Sequence, residues 1–93
     1  MRVISNRRLV DFAAAHPGAN VPLQIWRKTV EAGAFRNFSE LRRSFGAVDR
    51  VGGFYVFDIA GNEFRLIAAV HFNTRKLFVR EISTHKEHDT WAP

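Results

Sequence analysis

From Phe54 onward the apolar residues of this chain recur at every second position, in the runs Phe54–Ile59, Glu63–Phe72 and Leu77–Thr84. Alternation of that kind marks a strand with one face buried. The connections, at Gly61-Asn62 and Thr74-Arg75, are long enough only for tight turns. Parallel neighbours need a crossover of a dozen or more residues, so the three runs predict an antiparallel meander. A sheet with one apolar side needs a cover, and only the first half of the chain can supply it.

The register can be written from the turns. With two central residues in each turn, Ile59 faces Phe64, Phe57 faces Leu66 and Asp58 faces Arg65. In the second hairpin Val70 faces Val79, Ile67 faces Ile82, Ala69 faces Arg80 and Arg65 lies opposite Thr84. Side chains alternate across a sheet. One face then holds Tyr55, Phe57, Ile59, Phe64, Leu66, Ala68, Val70, Phe72, Leu77 and Val79, and should carry the helices. The other holds Asp58, Arg65, Ile67, Ala69, His71, Phe78, Arg80, Ile82 and Thr84, and should be at least partly open.

The first half is periodic in the helical sense. Met1–Ile4 reads as a short strand, and Asn6 can cap a helix whose inner face is Leu9, Phe12, Ala13 and His16. Pro17-Gly18 ends it. Pro22 suits the first turn of a second helix with Leu23, Trp26 and Val30 inward, stopped at Gly33. Trp26 and His16 share these apolar stripes and are read as structural. Asn37-Phe38-Ser39-Glu40 has the form of a capping box before a third helix over Phe38–Phe45. Gly46–Gly53 reads as a loop. The expected fold is α+β: a short first strand and two to three helices on one face of a small antiparallel sheet, one domain over residues 1–93.

Charge and composition narrow the function classes. Residues 1–53 carry nine Lys/Arg against four Asp/Glu, and residues 54–93 carry five of each, so the whole net charge of +5 sits in the helical half. A basic half favours an anionic partner, nucleic acid or an acidic protein. There is no cysteine, which removes disulfides, thiolate nucleophiles and zinc–thiolate sites. No apolar run approaches the ~18 residues of a membrane span and no signal peptide opens the chain, so a cytoplasmic location is expected.

The unusual residues of the sheet half are its arginines and the histidines after it. Arg65 and Arg80 stand in apolar strands, where an unpaired charge is costly. Arg65 can pair across the strands with Asp58, which does not preclude contact with phosphate, and Arg80 can be simply an exposed strand charge. His85 and His88 follow the last strand. Two histidines three apart can hold a metal, but no third ligand is evident and none is expected, nor any other cofactor. RNA carries its own nucleophile, the 2′-hydroxyl. Its cleavage needs proton transfer, which histidine suits, and cations for the phosphorane, which the arginine fork suits. A non-catalytic RNA-binding module and a protein-interaction domain remain open alternatives.

Three segments carry a family resemblance: MRVIS at the start, YVFDIAGNEFRLIAAVHF in the middle and KLFVREISTHKEHDTW at the end. Together they resemble the HigB toxins, of the RelE-like superfamily with its microbial-RNase-like fold. The resemblance implies a ribosome-dependent mRNA endoribonuclease held off by a cognate antitoxin, typically a helix-turn-helix DNA-binding protein. It implies no membrane partner and no direct DNA binding without the antitoxin. On that pattern Arg65 matches the strand arginine implicated in catalysis, with Arg80 and His85 in the matching last strand and tail. By their chemistry His88 and Trp91 are read as base-positioning groups, Lys86 as a further contact to RNA, and the exposed arginines of the helical half, Arg7, Arg8, Arg42 and Arg43, as groups that can hold ribosomal RNA. This chain departs from the pattern at His88, where tyrosine is usual, and at Trp91, near which related toxins can place tyrosine. Indole can stack on a base but cannot move a proton at neutral pH.

Overall fold

The structure is a computed structural model that describes residues 1–4, 6–61 and 63–84. Along the chain run β1 (Arg2–Ile4), α1 (Asn6–Ala15), a 3-10 turn (Pro17–Ala19), α2 (Asn20–Ala32), α3 (Phe38–Ser44), β2 (Asp49–Val51), β3 (Phe54–Ile59), β4 (Phe64–His71) and β5 (Lys76–Thr84). The strands form one sheet in the order β1-β5-β4-β3-β2. The α+β reading holds, with two corrections. The sheet is mixed rather than antiparallel, because β1 lies parallel to β5, with Val3 beside Leu77. The segment read as a loop contains β2, which pairs Asp49–Val51 with the start of β3 across Gly52-Gly53. β2 is exposed at every position. An edge strand with no buried face leaves no alternation to read, although a Gly-Gly pair before Phe54 is itself a hairpin signal.

The helices bury the expected stripes. Leu9, Leu23, Trp26, Val30 and Leu41 are buried against Tyr55, Phe57, Ile59, Phe64, Leu66, Ala68, Leu77 and Val79 of the sheet. Trp26 packs edge-on against Phe57 with ring centres 5.4 Å apart, so it is a core residue. His16 stacks on Phe12 at 4.2 Å and meets the edge of Phe64, which also makes it structural. Each large side chain that is fully buried in this layer contributes roughly 1.5–3 kcal/mol.

Gly33 closes α2, though not through a left-handed turn: its φ is −87° and ψ 150°. A side chain there would collide with the Phe35 ring, so glycine permits Phe35 to fold back into the core. The cap of α3 forms as expected at one end only. Asn37 Oδ1 accepts from the Glu40 N–H at 3.0 Å, but Glu40 reaches past the cap to the Arg36 N–H at 3.3 Å and pairs with the Arg36 guanidinium at 3.1 Å. The guanidinium supplies a charge that the Asn37 N–H cannot. Replacing Asn37 with alanine is expected to destabilise the protein by about 1 kcal/mol, read as a lower midpoint in urea at unchanged slope. An unchanged midpoint would show that the cap does not hold α3.

The first hairpin has the expected register, with Ile59 opposite Phe64, Phe57 opposite Leu66 and Asp58 opposite Arg65. The second does not. Its turn centres one residue earlier, on Asn73-Thr74, closed by Arg75 N–H donating to the Phe72 carbonyl at 3.3 Å. Asn73 Oδ1 accepts from the Thr74 N–H at 3.0 Å, and Arg75 takes the left-handed φ of 56°. Val70 therefore faces Leu77, and Ala69 faces Phe78. Moving the centre of a turn by one residue shifts the pairing by two, so every side chain before the next irregularity keeps its face.

That irregularity is a bulge. Ala68 pairs with Val79, but Ile67 pairs with Glu81, leaving Arg80 as an extra residue with no partner on β4. Beyond it the faces of β5 exchange. Ile82 and Thr84, expected on the far face, stand beside Leu66 and Phe64, and Ile82 packs on the core. Glu81 and Ser83 take their place opposite Ile67 and Arg65. The exchange satisfies the core, since it returns Ile82 to the apolar side. The far face is not simply open: Val56 and Ile67 are buried there, at 5% and 1% exposure.

Candidate functional site

Arg65 stands in the middle of the sheet half, on β4, on the face away from the helices. Its side chain is 12% exposed, and Nη1 lies 3.0 Å from Oδ1 of Asp58 on β3. The two residues are direct cross-strand partners, as the first hairpin predicts. The contact is an ion pair without hydrogen-bond alignment, and among the described residues the buried Nη1 has no other acceptor. Asp58 thus neutralises the arginine without saturating its fork. A phosphate oxygen, which matches guanidinium geometry, could complete the set.

Arg80 is exposed and sits at the bulge. The residue opposite Arg65 is Ser83, three positions further along β5. At the usual rise per residue the two arginines are separated by about 10 Å along the strand. The bulge, not regular alternation, governs the direction of Arg80, because an extra residue bends the strand and re-aims its side chain.

Arg42 and Arg43 are exposed in the last turn of α3. The residues that follow them, Ser44 and Phe45, line one groove with Asp58. Of the Asp58–Arg65 pair, it is Asp58 that reaches this groove at the end of α3. His85, Lys86, His88 and Trp91 fall outside the described residues. Among the described residues no three His, Cys, Asp or Glu side chains gather as a metal site, and no helix is long and apolar enough to cross a membrane.

Over residues 19–91 the sequence matches a family model described as HigB_toxin, RelE-like toxic component of a toxin-antitoxin system. The chain belongs to the HigB toxin family. Among its HigB relatives is the mRNA interferase toxin HigB of Escherichia coli K12, 34% identical over 92 residues that cover 96% of this chain and 88% of that protein. The mRNA interferase HigB of Shigella flexneri matches to the same extent. The mRNA interferase HigB of Escherichia coli O6:H1 is 28% identical over 92 residues, with 96% and 89% covered. Among its described residues this member of the family has three α-helices on a five-stranded sheet.

One residue of interest escaped the sequence. In the sequence Arg8 stands out only as one of the exposed helical arginines that can hold ribosomal RNA, yet its Nη1 donates to the main-chain carbonyl of Arg80 at 3.0 Å. Nothing in a linear sequence joins positions so far apart unless the parallel docking of β1 on β5 is known.

Proposed function

We propose that this protein is the toxin of a toxin–antitoxin pair and acts as an endoribonuclease on translated mRNA. The observation that carries the reading is its 34% identity, over nearly the whole chain, to mRNA interferases. The basic helical half and the half-satisfied Arg65 support it.

The reaction is attack of the RNA 2′-hydroxyl on the adjacent phosphorus, with release of the 5′-oxygen and without metal. Arg65 and Arg80 stabilise the charge that builds on the phosphorane oxygens. His85 transfers the proton, since an imidazole titrates near neutrality. His88 and Trp91 position the bases, and Lys86, Arg42 and Arg43 hold the RNA backbone. So few groups orient a flexible strand poorly, and the ribosome supplies the missing template. Free RNA is therefore cut slowly and message on ribosomes fast. The partner that silences the toxin is a helix-turn-helix DNA-binding antitoxin.

Induced expression in a bacterial host tests this. Growth should stop, translated messages should acquire new 5′ ends, and co-expression of a neighbouring short gene should restore growth. Unimpaired growth with abundant wild-type protein in the soluble fraction would defeat the reading.

A further inference from the structure

The geometry points to Arg8 as a positioning residue that sets the aim of Arg80; this rests on the phosphate role proposed for Arg80. β1 pairs with β5 only as far as Phe78. Beyond that point no described strand lies along the outer edge of β5. Two residues later comes the bulge, where Arg80 has lost its partner on β4 as well. A residue unpaired on both sides is the least constrained part of the strand, yet a cation that must meet a developing charge has to be held in place before the reaction.

The chain itself provides the constraint. Ile4 lies beside Phe78 in parallel register, and α1, the next element of the chain, packs against β5. Arg8 there donates from Nη1 to the Arg80 carbonyl at 3.0 Å, fixing the peptide that follows the bulge residue. The contact sits beside a groove lined by Arg8, Asp11 and Phe12 of α1 and by Glu81 and Ile82 of β5, so helix and strand flank each other here. On the same turn of α1, Arg7 rather than Arg8 lies near Asp11, at 3.7 Å in an exposed ion pair. Arg8 is exposed and fills no part of the core. Its bond therefore bears on where Arg80 points more than on whether the protein folds.

The test is a double-mutant cycle on the full chain, by single-turnover cleavage on saturating programmed ribosomes with ribosome affinity measured in parallel. Arg8→Met keeps the apolar stem and removes the donor; Arg8→Lys restores a donor. Arg8→Met should cut about tenfold more slowly, the scale of one hydrogen bond used for alignment, at unchanged affinity. Arg8→Lys should recover most of the rate. In an Arg80→Ala background Arg8→Met should cost nothing further, because interacting residues are not additive. Equal fold-losses in both backgrounds, or weaker ribosome binding in place of slower cutting, would overturn the inference while leaving the role of Arg80 intact. Wild-type cutting by Arg80→Ala alone would overturn both together.

Discussion

Replacing Arg65 with alanine should slow single-turnover cleavage of ribosome-bound message by roughly 10²-fold or more, the scale of losing one preorganised donor to a developing oxyanion. Arg80→Ala should fall by a comparable factor. Ribosome affinity should change far less, because many cations share that binding. The structure adds a complication at Arg65. Its removal strands the Asp58 carboxylate at 26% exposure, a stability loss of roughly 1–3 kcal/mol, below the range for fully buried pairs. Asp58→Ala combined with Arg65→Ala removes the stranded charge. If the arginine serves chemistry, that double variant should regain stability and stay slow. Recovery of cleavage in the double variant would mean that Arg65 matters only as the partner of Asp58.

The second large effect is expected at His85. His85→Ala should reduce the rate by about 10²–10⁴-fold if the imidazole carries the proton in the transition state. His16→Ala is the matched control. His16 is packed between Phe12 and Phe64, so correctly folded His16→Ala protein should cut at close to the wild-type rate. Circular dichroism on each variant separates misfolding from chemistry. A His85→Ala protein that cuts as fast as wild type would remove His85 from the proton transfer and shift attention to the residues around it.

What the sequence made legible follows from what packing demands. The apolar stripes of α1 and α2 and the first hairpin were readable because a buried face imposes a period on the residues that fill it. The Asp58–Arg65 pair followed from that hairpin alone. The second hairpin kept its faces as far as Val79 only because the turn moved by a whole residue. The bulge was not legible. It inserts one residue, and Phe78, Arg80, Ile82 and Thr84 continue to alternate in the sequence as if nothing had happened. β2 was hidden by having no buried position, and the placement of β1 by being a long-range contact. For the site, regular alternation paired Arg65 with Asp58 and put Arg80 on their face, but it held no sign of the bulge that removes Arg80 from that alternation.

The parallel docking of β1 on β5 also governs the order in which the protein can come into being. Val3 waits for Leu77, so the sheet's outer edge cannot close until almost the whole chain is available. Contacts of such sequence separation are late and slow, since the loop they close must be ordered first. The same closure brings α1 onto β5 and Arg8 onto the bulge. A partly synthesised chain can bury much of its apolar surface, but it cannot hold Arg80 in its final setting. Closure of the sheet's outer edge and the setting of Arg80 thus depend on the same long-range docking.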